Sequence, residues 1–263
     1  MDTARRTPAS RSSASRSSAS RSSVAVLTGA SRGLGLALAR ALAAEGRQLV
    51  ITARDPDELA SAEDELSRLT TVVALAGSVV DDDHRAELAA AASRLGGASL
   101  LVNNASTLNG SADEDADPLP SLATYPLPDL LETFEVNVLA PIALTQLLLP
   151  QLRQHEGAVL NISSDAAVQA YAGWGGYGAA KAALDHVSAV LAAEEPELRV
   201  WAVDPGDLRT RLHQQAFPDA DLSGLPLPAT VVPAFRALWR TRPASGRYRA
   251  AALLADAALG SGV

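Results

Sequence analysis

Six short runs of consecutive apolar residues punctuate the chain from residue 24 onward: VAVLT at 24–28, QLVIT at 48–52, TVVAL at 71–75, SLLVN at 99–103, AVLNI at 158–162 and RVWAV at 199–203. None alternates apolar with polar residues as a strand with one wet face would, so each predicts a strand buried on both faces. Between them lie 34–46, 56–69, 81–95, 127–152 and 177–195, longer stretches with apolar residues at helical spacing. Strand and helix in alternation predict an α/β fold: a doubly wound parallel sheet of Rossmann type, with helices on both faces. One such domain is expected over residues 23–255. Its ligand crevice lies outside the carboxyl ends of the strands, so functional residues should follow the apolar runs directly.

The two ends break this rhythm. RSSAS repeats with a period of five near the N-terminus, which fits neither helix nor strand, so residues 1–22 are expected to be a disordered Arg/Ser/Ala-rich tail. Residues 256–263 are expected to be a flexible C-terminus. The tail carries five Arg against one Asp, leaving 17 basic and 29 acidic residues for the rest of the chain. An acidic body argues against nucleic acid as a partner. No uninterrupted apolar run approaches the ~20 residues that cross a bilayer, and no apolar secretory segment opens the chain. No membrane partner and a cytoplasmic location are therefore expected. The tail's Arg- and Ser-rich composition also suits a transit peptide, although the repeat builds no amphipathic face. The chain has no Cys and only four scattered His, at 84, 155, 186 and 213, so no metal site is expected. The acidic stretch SADEDADP at 111–118 reads as a solvated loop.

Candidate chemistry appears where the fold predicts it. TGASRGLG at 28–35 joins the first strand to the first helix. Glycines there allow a tight turn and close approach of backbone to phosphate, and the helix N-terminus supplies N–H groups for a pyrophosphate. The turn is assigned to Gly29, the close approach to Gly33 and helix-to-strand packing to Gly35. Arg54 stands at the tip of the second strand and Arg32 in the loop, where two guanidinium groups can converge on the 2′-phosphate of NADP. Asp55, one residue on, keeps NAD(H) possible; NADP(H) is the preferred cofactor.

The chain's 22 Lys and Arg residues include a single lysine, Lys181. It follows Tyr177 by four residues in a predicted helix, so both side chains share a face. A compact ammonium beside a phenol favours the phenolate and makes tyrosine a usable acid/base. Ser163 and Ser164 close the strand at 158–162, where a hydroxyl can polarise a substrate carbonyl.

In order along the chain, TGASRGLG, NNA at 103–105, Asn137, NISS, YGAAK and DPGDLRT resemble the short-chain dehydrogenase/reductase family over about residues 24–250. The resemblance implies a catalytic tetrad of Asn137, Ser164, Tyr177 and Lys181, with Ser164 chosen over Ser163 because it stands 13 residues before Tyr177. Tyr177 would be the acid/base, Ser164 would orient the carbonyl, Lys181 would also bond the nicotinamide ribose, and Asn137 would hold a relay water. It further implies cofactor contacts from Ser31 and Leu34 in the glycine loop, and from Ser78, Val79, Asn104 and Ala105. Tyr177 and Lys181, and Pro205, Gly206 and Thr210 of DPGDLRT, complete that set. Two positions depart from the family pattern: Ser78 stands where an Asp commonly holds adenine, and NNAS places Ser106 where NNAG has glycine. LAAEEPELRVWAVDPGDLRT resembles sepiapterin-reductase-like and carbonyl-reductase-like members.

The expected function is hydride transfer between NADP(H) and a small-molecule carbonyl or secondary alcohol, in a homodimer or homotetramer. Two alternatives are an NADP(H)-binding regulator without turnover and a nucleic-acid or scaffold protein acting through the basic tail. Trp174 and Tyr171 are candidates for the substrate pocket or for core packing. Residues 211–230, broken by Pro and Gly, are expected to form a substrate lid carrying Phe217 and Leu222.

Overall fold

A computed structural model describes residues 24–108 and 117–260. The predicted tail, most of the acidic loop and residues 261–263 lie outside the described residues. Seven parallel strands form one sheet in the order β3-β2-β1-β4-β5-β6-β7. They are β1 (Val24–Thr28), β2 (Gln48–Ala53), β3 (Val72–Ala76), β4 (Ala98–Asn103), β5 (Ala158–Ile162), β6 (Arg199–Asp204) and β7 (Gly246–Arg249). The chain reverses its direction of travel across the sheet between β1 and β4, which opens a crevice at their carboxyl ends.

Each apolar run divides its side chains between two cores. Ala25 and Leu27 of β1 face α1 (Gly33–Ala44), α2 (Pro56–Leu66) and α8 (Val232–Thr241), in a core with Leu38, Leu42, Leu66 and Phe235. Val24 and Val26 face α3 (Asp82–Arg94) and α5 (Ala140–Gln154), with Leu88, Leu144, Leu148 and Leu152. Each fully buried leucine contributes roughly 1.5–3 kcal/mol. Burial on both faces explains why the runs show no alternation.

The predicted helix at 127–152 is three pieces in one: α4 (Leu127–Phe134), a π-helical turn Glu135–Leu139, and α5. Pro141 has no N–H to offer the carbonyl of Asn137 four residues earlier, and the ladder widens there. Among the described residues, Leu127–Gln154 is long and apolar enough, by length and composition, to cross a bilayer. Leu144, Leu148 and Leu152 are spent on the core beneath the sheet.

The sequence-based expectation falls short at the C-terminal end. A seventh strand, β7, is present, and residues 256–260 belong to helix α9 (Ala250–Gly260) rather than to a flexible tail. β7 reads GRYR and is mostly exposed at the sheet edge, so it offers no apolar run to find.

A buried polar chain fixes the helix that carries the candidate chemistry, α6 (Gly175–Glu194). Asn103 of β4 donates to Asn161 of β5 at 2.8 Å, and Asn161 donates to Ser188 of α6 at 2.8 Å. Unpaired, these buried amides would be costly, so the chain locks α6 in one register on the sheet.

Candidate active site

The glycine loop is shaped by backbone need. Gly29 and Gly33 have φ of +63° and +57°, the left-handed region, and a Cβ on Gly35 would lie 2.1 Å from the Gly29 carbonyl oxygen. Gly35 therefore packs against the loop itself, whereas the sequence reading had it packing helix on strand. Gly33 serves through its φ, with nothing nearer than 3.8 Å to an added Cβ. Helices α2 and α3 are capped by Asp55 and Asp81, while α1 has no side-chain cap. The first-turn N–H groups of Gly33, Leu34 and Gly35 thus form an anion cradle at the mouth of the crevice. Gly35→Ala should destabilise the fold by about 1–3 kcal/mol, the usual cost of overpacking. It should also weaken NADPH binding; a melting curve and a cofactor titration check both.

Arg54 is exposed at the tip of β2. Asp55 does not face a ribose: its carboxylate accepts from the backbone N–H groups of Asp57 and Glu58, both at 3.0 Å, as the N-cap of α2. Arg32 is held by Glu58 through Nη1 at 2.7 Å, and the Ser31 hydroxyl donates to the same carboxylate at 3.2 Å. Arg32 is thus paired with Glu58, while Arg54 stands open at the strand tip. Glu58 was missed because a glutamate in the first turn of a helix looks like ordinary dipole compensation.

Asn104 works as a brace. Its Nδ2 donates to the carbonyls of Thr28 at 3.0 Å and Gly29 at 2.9 Å, while the backbone N–H groups of Asn104 and Ala105 donate to the Thr28 hydroxyl, each at 3.0 Å. Ala105 and Val79 share a narrow crevice with Thr28 and Val136. Ser78 turns its hydroxyl to the Val80 N–H at 3.4 Å. Thr210 caps α7 (Arg211–Ala216), accepting from His213 N at 3.2 Å. Its Cγ2 approaches the glycine loop at Gly33. Gly206, at φ +76°, donates its N–H to Asp204 at 2.9 Å and turns the chain after Pro205.

The four residues of the proposed tetrad gather beside this loop. Tyr177 and Lys181 lie on the buried face of α6, at 8% and 2% exposure. Ser164 follows β5, and its hydroxyl accepts from Ala166 N at 3.2 Å and donates to Asp165 at 3.1 Å. Ser164 and Ser106, not the fully buried Ser163, are the side chains that pull the Tyr177 phenol's pKa down against its burial. Asn137, in the π turn, is held by Thr107: Oδ1 accepts from Thr107 N at 3.1 Å and Nδ2 donates to Thr107 O at 2.7 Å.

The electrostatics correct one expectation. Lys181 was expected to lower the Tyr177 pKa, yet burial pushes the phenol up to about 12, against the pull of Ser106 and Ser164 and with a further push from Asp165 and Asp204. The Lys181 ammonium donates to the Ile162 carbonyl at 2.8 Å and lies 5.4 Å from the centroid of the Tyr177 ring. Burial also drives Lys181 down to about 8, opposed only by Asp185. Two buried groups are thus each biased toward their neutral forms.

Two further residues escaped the sequence reading. Arg247 of β7 donates to the main-chain carbonyl of Ser164 and to Asp185, each at 2.8 Å, so the edge strand steadies both β5 and α6. Asp165 accepts from the Tyr171 hydroxyl at 2.9 Å, which leaves Tyr171 exposed rather than against Tyr177. Trp174 does reach Tyr177, edge-on at 5.7 Å between centroids, and Phe217 meets Trp174 at 6.1 Å. Leu212 and Ala216 of α7 pack in the same small apolar cluster as Tyr177, while Leu222 is buried outside it. Among the described residues, no cluster of His, Asp or Glu is placed to hold a metal ion.

A doubly wound parallel sheet with an uncapped glycine turn and a buried Tyr and Lys at its carboxyl edge defines a Rossmann-type α/β protein. The sequence profile of the short chain dehydrogenase family matches residues 23–221. Sepiapterin reductase of Mus musculus is 36% identical over 211 residues, covering 73% of this chain and 77% of that protein. Among solved structures, an alcohol dehydrogenase from the archaeon Thermococcus sibiricus complexed with 5-hydroxy-NADP aligns with a TM-score of 0.76 at 26% identity. That alignment covers 86% of this chain and 94% of that one. A short-chain dehydrogenase from Streptomyces avermitilis aligns at 0.73 and 28% identity, over 93% of this chain and 94% of that one. The chain belongs to the short-chain dehydrogenase/reductase family of oxidoreductases.

Proposed function

We propose that the chain is an NADP(H)-dependent oxidoreductase acting on a carbonyl or secondary alcohol, with Tyr177 as acid/base. The observation that carries this reading is the convergence of Tyr177, Ser164, Asn137 and the lone lysine on a crevice floored by an uncapped helix N-terminus. The nicotinamide supplies or accepts hydride. Ser164 steadies the substrate oxygen and Tyr177 exchanges a proton with it. Trp174, Leu212, Ala216 and Phe217 exclude water from the phenol, which makes 211–230 the proposed lid. Leu127, Leu131, Leu139 and Leu147 stand exposed along α4, the π turn and α5, and Val190 on α6, a surface suited to self-association as a homodimer or homotetramer.

The preference for NADP(H) rests on Arg54, whose neighbour Asp55 is committed to its helix cap. The bound 5-hydroxy-NADP of the Thermococcus sibiricus relative agrees with that choice. Arg54→Ala should weaken NADPH by roughly ten- to a hundredfold, the scale of bonds to a charged group, with little effect on NADH. Glu58→Gln should tighten NADPH up to about fivefold, since it frees Arg32 from an exposed ion pair. Equal effects on both cofactors would refute the assignment. Turnover is tested with a panel of aliphatic ketones, aromatic ketones and 1,2-diketones; no oxidation of NADPH with any of them would overturn the proposed activity.

A further inference from the structure

Phe, Tyr and Trp make up only 4% of the chain, yet Tyr177, Trp174 and Phe217 stand in one contiguous run that starts at the phenol of the tetrad. Trp174 meets the Tyr177 ring edge-on, at 5.7 Å and 72°. Phe217 lies 6.1 Å from Trp174 at 45°, and His213 lies 5.2 Å from Phe217 at 43°. The run crosses from the start of α6 to the end of α7 and grows more exposed on the way: Tyr177 is 8% exposed and Phe217 41%.

Packing alone does not account for these rings. The two large cores are filled mainly by Leu, Val and Ala, and a side chain that only closed the lid would bury itself as Ala216 does. Phe217 stays exposed, and it is held there. Gln214 Nε2 lies 3.0, 2.9 and 3.2 Å from the carbonyls of Phe217, Pro218 and Ala220, which fixes the backbone turn, while His213 backs the ring. A fixed, exposed apolar ring beside the reacting hydroxyl is surface for a ligand. Aromatic rings also favour an aromatic partner, edge-to-face or offset, beyond what the buried area contributes.

We propose that the substrate is a ketone, or the matching secondary alcohol, whose carbonyl carbon carries a flat aromatic ring, and that Trp174 and Phe217 select it by packing against that ring. The proposal rests on the carbonyl reading above, with the substrate oxygen at Tyr177. An aryl ketone joins its ring to the carbonyl by one bond, which keeps the ring beside the phenol, where Trp174 forms the wall. A saturated ring of the same carbon count has more apolar surface and no π face. Burial alone therefore favours the saturated ring, and a preference for the flat one reports the aromatic wall.

The test uses the full chain with NADPH and a matched pair, acetophenone and cyclohexyl methyl ketone, which differ only in ring saturation. kcat/KM is measured for both in wild type, Phe217→Leu, Trp174→Leu and Phe217→Tyr, with melting curves and NADPH titrations. The aromatic-to-saturated ratio within each enzyme cancels whatever a variant does to both ketones alike. That ratio should fall about twofold to tenfold in each Leu variant, the range of one aromatic pair, and stay at the wild-type value in Phe217→Tyr. A second measurement needs neither a variant nor a reaction. Benzamide should inhibit the wild type, competitively with ketone, about twofold to tenfold more tightly than cyclohexanecarboxamide. An unchanged ratio in both Leu variants overturns the proposal, and so does benzamide binding no more tightly than its saturated partner. Failure of the carbonyl reading shows separately, as no oxidation of NADPH with either ketone while NADPH still binds.

Discussion

Tyr177→Phe is expected to cut turnover at least about a hundredfold, the lower range of a lost acid/base contribution, without unfolding the chain or weakening NADPH binding. Phenylalanine keeps the ring that packs against Trp174, Leu108 and Ala166, so the apolar cluster survives. What goes is one hydroxyl, the phenol of the tetrad, whose pKa Ser106 and Ser164 pull down against its burial. Those serine hydroxyls can rebond to Asn137 and Asp165, which already hold them. A melting curve, a cofactor titration and a steady-state rate separate the three quantities. Wild-type turnover with an intact fold would remove Tyr177 from the chemistry.

Lys181→Arg should fold poorly or lose at least about a hundredfold in turnover. The side chain is 2% exposed and its compact head ends on the Ile162 carbonyl, so a broad planar guanidinium finds neither room nor a matching partner. Lys181→Met keeps the stem and removes the charge; it should fold, yet be inactive and bind NADPH more weakly. The comparison also carries a pH signature. Burial drives Lys181 from its ordinary 10.5 down to about 8, so between those values the unfolded chain binds a proton that the folded chain does not. Stability of the wild type relative to Lys181→Met should therefore rise as pH climbs from 8 towards 10, and be at its lowest below pH 8. Parallel melting temperatures across that range would mean that the ammonium is not desolvated.

An active site that biases both its tyrosine and its lysine toward neutrality is consistent with proton exchange, since burial holds Tyr177 protonated and ready to donate at neutral pH. The cost is that a phenolate needs local donors, and Ser106 and Ser164 are the side chains that pull the Tyr177 pKa down.

Much of this was legible along the chain. Strand burial on two faces writes itself as unbroken apolar runs, and six of the seven strands follow from that alone. The glycine turn was readable because only a few residues tolerate φ near +60°, and the Tyr177 and Lys181 pair because four residues make one helical turn. β7 was not, since an exposed edge strand has no apolar signature. The π turn at Asn137 had a sign in Pro141, but one missing N–H does not foretell which way a ladder will relax.

What the sequence by itself determined is the sheet, the phosphate turn and the identity of the residues at its carboxyl edge, because each depends on local period, local dihedrals or a fixed offset in one helix. Only the tertiary structure decided their partners. Arg32 pairs with Glu58, Asn104 braces the glycine loop, Arg247 holds Ser164, and Lys181 rests on Ile162 instead of on the phenol. Hydrogen bonds and ion pairs act over about 3–4 Å between groups far apart in the chain, so they are fixed by where the packed elements set each side chain down, a distance that no spacing in the sequence records.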